Sequence, residues 1–204
     1  MKRVCLFMTL ICMMMVSFKP DGSDGKHEGH GYVDLGLSVK WATCNIGASK
    51  PEDYGNYYAW GETTTKSSYT ESNSKTYGKK MGDIAGNSSY DAATANWGGD
   101  WRMPTEKEMR ELIDKCTWTW TTQNGVKGYK VTSKTNGNSI FLPAAGLRDG
   151  SSLHYAGRFG YYWSSTPSDY YDVVYAYSLY FYSGGQRMGN DDRYYGQSVR
   201  LVVE

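Results

Sequence analysis

Short alternating runs of apolar and polar residues occupy most of this chain, and one stretch instead carries a clear helical period. In residues 101–116 (WRMPTEKEMRELIDKC), Met109, Leu112, Ile113 and Cys116 lie at i, i+3, i+4 and i+7 and form one apolar stripe. Lys107, Arg110, Glu111, Asp114 and Lys115 cover the remaining faces. Thr105 and Glu108 have the spacing of a capping box, and Glu106 and Glu108 fall in the positively polarised first turn. Glu108 and Glu111 therefore read as a cap and a solvated face, not as a pair of catalytic carboxylates. Residues 90–97 (YDAATANW) have helical composition over a short length, and Gly98-Gly99 stops them.

The other runs predict strands punctuated by turns. YVDL and SVKWATC flank a turn at Gly36 and Leu37, and residues 57–60 predict a third short strand. Residues 63–82, rich in Ser, Thr and Lys, predict an exposed loop. Asn124-Gly125 and Asn136-Gly137 are hairpin signals, with strands at 128–133 and 139–142, the second ended by Pro143. Residues 147–159 read as a polar loop, 161–164 as a strand and 198–203 as a closing strand. The longest β-favouring run is 173–182 (VVYAYSLYFY); its loose alternation predicts that both of its faces meet protein.

The N-terminal end is different in kind. Residues 1–18 combine Lys2 and Arg3 with an apolar run and read as a cleaved secretory signal rather than a membrane span. Thr9, Leu10 and Ile11 lack the small residues that precede a lipidated cysteine at Cys12. Residues 19–31 are polar and glycine-rich without periodicity and predict a flexible linker, so that 32–204 form a single domain. His27 and His30 in that linker have no cysteine or third partner and read as bystanders rather than metal ligands. The expected location is secreted, periplasmic or cell-surface, with no membrane span after signal removal. Cys5 and Cys12 leave with the signal. Cys44 and Cys116 are then expected to form one bridge in an oxidising compartment, closing a loop of about 70 residues and stabilising by on the order of a few kcal/mol. Two separately buried thiols are the alternative.

Composition adds two constraints. Aromatic residues make up 15% and glycines number 24, while Leu and Ile are scarce, so the core must rely on Trp, Tyr and Val. Net charge is +1 from 22 basic and 21 acidic residues, which argues against a nucleic-acid partner.

Ten of the 19 tyrosines fall between Tyr161 and Tyr195, mixed with Ser, Asp, Asn and Gly. That mixture resembles antibody paratopes, in which Tyr supplies amphipathic contact area and the small polar residues adapt their hydrogen bonding. The candidate ligand-binding residues are Tyr170, Tyr171, Asp172, Tyr175, Tyr180, Tyr182, Asn190, Asp191, Asp192 and Tyr194. Catalysis finds little support: His154 is the sole histidine beyond the expected linker, and no GxSxG elbow accompanies it. No metal or other cofactor is expected. Asn190, Asp191 and Asp192 offer oxygen ligands for calcium as a lesser alternative, although the Glu-Pro-Asn or Gln-Pro-Asp tripeptide of calcium-dependent lectins is missing.

Six segments together, YVDLGLSVKWATCNIGA, YYAWGE, NWGGDWRMPT, FLPAAG, YYWSST and GQSVRLV, resemble the exported Fibrobacter succinogenes major paralogous domain family, abundant in gut Bacteroidetes. The resemblance covers nearly all of residues 32–203. It implies a C-type lectin-like fold related to formylglycine-generating enzymes: an α+β architecture with one or two helices on small twisted antiparallel sheets and the terminal strands close together. In such folds the late strands and their loops form the ligand face. Some members are variable proteins of diversity-generating retroelements, and residues 168–195 have the residue set such systems produce. Formylglycine-type chemistry needs a late pair of cysteines, and none follows Cys116. The function implied is an exported, non-catalytic domain that presents its C-terminal surface to a cell-surface glycan or protein. The alternatives are a structural subunit of a surface assembly, calcium-dependent sugar binding and a formylglycine-generating-enzyme-like activity.

Overall fold

The computed structural model describes residues 23–171 and 173–204. The expected leader, Cys5, Cys12, residues 19–22 and the candidate Asp172 lie outside the described residues. In chain order the strands begin with Gly25–His27 (β1), His30–Val33 (β2) and Lys40–Asn45 (β3). Two helices follow, Ala92–Trp97 (α1) and Glu106–Lys115 (α2). Then come Cys116–Gln123 (β4), Val126–Ser133 (β5), Ser139–Pro143 (β6), Leu147–Asp149 (β7) and Ser152–His154 (β8). The chain ends with Phe159–Pro167 (β9), Tyr175–Tyr182 (β10), Gly185–Asp192 (β11) and Arg200–Val203 (β12). These strands form four small sheets, ordered β1-β2-β3-β12, β4-β5-β6, β11-β10-β9 and β7-β8, and every strand pairing is antiparallel. At 10% helix and 43% strand this is an α+β chain built from small antiparallel sheets.

Local chemistry explains the helices. Thr105 Oγ1 accepts from the Glu108 N–H while Glu108 Oε2 accepts from the Thr105 N–H, so α2 starts on a closed capping box. Arg102 then grips Glu108 with two bonds of 2.9 and 2.7 Å. For α1 the buried Asp91 accepts four backbone N–H groups, from Gly86, Ala93, Thr94 and Met103. Those donors fix the approach to both helices on one side chain.

Two cores result. In the first, Met109 and Leu112 of α2 meet Val131, Ile140 and Leu142 of the β4-β5-β6 sheet and Leu179 and Phe181 of β10. The second is tryptophan-rich, joining Trp60, Trp101 and Trp163 with Ile46, Ala176 and Val199. β12 runs between them, with Val202 in the first core and Leu201 and Val203 in the second. Its Arg200, also buried, gives Nε to Asn45 Oδ1 and its remaining donors to the carbonyls of Ala42, Thr43 and Phe141.

Several expectations are corrected. The described part of the linker, from Ser23 onward, enters the β1–β2 hairpin and the first sheet. The tryptophans supply the reason: His30 stacks on Trp97 at 3.7 Å, and Trp101 Nε1 donates to the His27 carbonyl at 3.1 Å. Cys44 and Cys116 are both free thiols, so the expected bridge is absent. Cys116 is packed in the first core, where burial pushes its thiol up to about 11, whereas Cys44 lines an open groove beside Thr43. Residues 57–60 form an extended segment with one bridge, Tyr58 to Gln197, instead of a strand. The loop 63–82 buries Tyr69 and Thr76 and holds a 3-10 turn at Glu71–Asn73. Residues 147–159 contain the β7–β8 hairpin, and β11 is a full strand in a segment for which the sequence predicted no element.

Candidate functional site

Strand register in the β11-β10-β9 sheet sorts the tyrosine-rich region into two faces. Tyr180 lies opposite Tyr161 on one side and Arg187 on the other; Tyr182 lies between Phe159 and Gly185; Ser178 lies between Trp163 and Gly189. These rows share one face, because side chains two apart along a strand point the same way. The opposite face carries Gly160, Phe181 and Gln186 in one row and Tyr162, Leu179 and Met188 in the next, and it packs toward α2. Gly160 is required there, because a β-carbon at that position would run into the Phe181 ring.

The first face carries a continuous aromatic floor. Phe159 is its hub, with ring centroids 5.3 Å from Tyr155, 5.7 Å from Tyr180, 5.9 Å from Tyr182 and 6.5 Å from Tyr161. Tyr180 closes the set at 5.2 Å from Tyr161 and 5.9 Å from Tyr182. Arg158 stands over the Phe159 ring and Arg187 over the Tyr180 ring, at 5.7 and 5.2 Å. Tyr155 is half exposed and has a left-handed backbone, with φ of 63°. Its carbonyl accepts from the N–H groups of Arg158 and Phe159, which folds the 155–159 turn back onto β9. Gly146, with φ of 69°, lets the backbone pass directly against that turn; a β-carbon there would clash with the His154 carbonyl.

Toward its deep end the face becomes polar and buried. Asp191 Oδ2 accepts from Ser178 Oγ at 2.5 Å and from Gln197 Nε2 at 2.9 Å. Burial pushes this carboxyl above the usual aspartate range, and the two donors oppose that shift. Desolvation, the neighbouring Tyr180 and the Asp191 charge together push the Tyr161 phenol well above an ordinary tyrosine.

The candidates read from sequence divide between the two ends of β10. Tyr180 and Tyr182 stand on the floor, and Asp191 lies on the same face, half-buried. Tyr175, at the start of β10, belongs to a second patch: its ring is 6.3 Å from Tyr171, which sits 4.5 Å from Tyr170. Opposite Tyr175 in the register is Asp192, whose carboxylate bonds the Tyr77 phenol; Tyr77 in turn meets Tyr194 at 5.4 Å. Tyr170 and Tyr171 are the most exposed rings, at 64% and 62%. Asn190 is exposed on the face opposite Asp191. From Tyr175 to Tyr182 is about 23 Å of strand, so the two patches are separate contact surfaces. Sequence reasoning missed Tyr155, Arg158, Phe159, Tyr161 and Arg187. The i, i+2 spacing of Phe159, Tyr161 and Trp163 was the available signal.

Among the described residues no group of three or more His, Cys, Asp or Glu side chains is placed to hold a metal ion. Asn190, Asp191 and Asp192 follow one another on an extended strand, which turns the middle side chain away from the other two. Among the same residues no helix is long and apolar enough to cross a membrane.

Residues 105–202 match the profile of a domain family of unknown function, DUF8237. No curated protein and no solved structure gives a significant match. The matched segment starts at the N-cap of α2 and contains the whole aromatic floor, but it leaves out β3, the partner of β12.

Proposed function

We propose that this chain is an exported, non-catalytic binding domain of C-type lectin-like type, related to the major paralogous domain family, whose tyrosine-rich C-terminal surface holds a cell-surface glycan or protein. One observation carries the reading: five contacting rings, those of Tyr155, Phe159, Tyr161, Tyr180 and Tyr182, lie on the face of a sheet whose other face is spent on the core. Core packing accounts for Phe181, Leu179 and Tyr162; it does not account for Tyr155 and Tyr182, which are 50% and 43% exposed. Contiguous exposed aromatic area of this kind marks an interaction surface.

The test replaces Tyr180 and Tyr182 with Ala and measures capture on arrays of glycans and cell-surface proteins, with circular dichroism as control. The expected outcome is loss of capture with an unchanged spectrum. Loss of the fold would place the two rings in the frame, and unchanged capture would move the site elsewhere. Tyr170→Ala with Tyr171→Ala separates the second patch; if that pair alone abolishes capture, the binding face is at the start of β10.

A further inference from the structure

The floor carries two cations with unspent donors. Arg158 and Arg187 are exposed, and each lies over a ring. Neither guanidinium hydrogen-bonds or pairs with a carboxylate among the described residues. The rings they cover, Phe159 and Tyr180, are 5.7 Å apart. Arg187 has Gly185 and Gly189 two positions away on its own face, and at both glycines the space a side chain would fill is open. A stacked guanidinium keeps its N–H edge free for a two-point bond to a planar anion, and stacking limits the rotamer freedom lost on binding. Beside the two cations stand the exposed rings of Tyr155 and Tyr182, hydroxyl-tipped surfaces that match the alternating apolar and hydroxyl faces of a sugar. The cluster is built of rings and cations, and it lines neither the groove of about 970 Å³ nor that of about 450 Å³.

We propose that the ligand of this floor is an anionic saccharide, with its ring face on Tyr155 and Tyr182 and its acidic groups on Arg158 and Arg187. The inference rests on the binding-face reading above and narrows it to one ligand class. The acidic group is a uronic carboxylate or a sulfate ester, each of which offers a guanidinium two anionic oxygens for a two-point bond. Asp191, on the same face about 13 Å along β11 from Arg187, is turned inward to Ser178 and Gln197 and leaves the cation pair uncontested.

The experiment is calorimetric titration of the full chain with two matched pairs: oligogalacturonate against its methyl ester, and a sulfated glycosaminoglycan oligosaccharide against its desulfated form. The expected result is tighter binding of the acidic member of at least one pair by about ten-fold or more, weakening as salt rises. Which pair shows the preference distinguishes carboxylate from sulfate. Arg158→Gln with Arg187→Gln, at exposed positions that leave the melting temperature unchanged, should erase the preference by weakening the acidic member about ten-fold more than the neutral one. Tyr155→Ala with Tyr182→Ala should weaken both members. Equal affinity for acidic and neutral members, or a preference that survives the double arginine variant, overturns the inference while leaving the binding face in place. Binding of none of the four also overturns it, and the binding-face reading then stands or falls separately on Tyr180- and Tyr182-dependent capture on the arrays.

Discussion

Tyr155 holds a backbone conformation that costs an L-residue about 1–2 kcal/mol, and its ring is left half in solvent. Such strain is retained where the surroundings enforce it, and here the 155–159 turn does so through Gly146 and two bonds to the Tyr155 carbonyl. Tyr155→Asn, which tolerates this conformation, should keep or raise the melting temperature while weakening capture; a loss above ~1 kcal/mol would instead make the ring structural. Two carboxyls give opposite pH signatures. Asp191 holds its proton to higher pH in the folded chain than in the unfolded one, so its contribution to stability falls as pH rises from the ordinary aspartate value through the raised folded value. Glu108 is lowered: desolvation pushes it up, but the Arg102 guanidinium and the Thr105 donors outweigh that, so its contribution is present above the ordinary glutamate value and is lost on acidification. Melting temperature against pH should therefore flatten just above the ordinary aspartate value in Asp191→Asn and below the ordinary glutamate value in Glu108→Gln. At this scale Tyr180 and Tyr182 were legible from composition. Arg158 and Arg187 were not, because a lone arginine between glycines or beside a loop gains meaning only when register brings a ring beneath it.

Among the elements, α2 was legible almost to the residue, since its cap, stripe and charged faces are all local and agree with one another. Thr105→Ala should lower stability by about 1 kcal/mol by chemical denaturation, through loss of the cap alone. Leu112→Ala, which opens a hole where α2 meets the first core, should cost about 2–5 kcal/mol; a value nearer that of the cap would show that the helix is loosely seated. The hairpins at Asn124-Gly125 and around Asn136-Gly137 were legible for the same reason, their turns being written in the sequence. β11 was not: GQRMGNDD has no strand propensity of its own and is extended because all eight of its residues pair with β10. The β1–β2 hairpin was hidden likewise, its polar residues held by Trp97 and Trp101 some seventy positions away.

For the molecule as a whole, the decisive buried groups are the arginines. Arg193 is stacked over Trp60 at 4.3 Å and donates to the carbonyls of Thr76, Lys79 and Tyr175, tying the long loop to the end of β11. Arg200→Ala should destabilise by about 3 kcal/mol or more in chemical denaturation, because it strands Asn45 and three carbonyls in the interior. The segment matched by DUF8237, residues 105–202, should not fold alone: β12 would lack β3, and the second core would lose Trp60 and Trp101. A cooperative thermal transition of that fragment, followed by near-ultraviolet circular dichroism, would contradict this. The pairing of Arg200 with Asn45 joins β12 to β3 across 155 positions of the chain. Neither core can close until β12 has docked on β3, so these contacts of long sequence separation should make folding slow for a chain of this size.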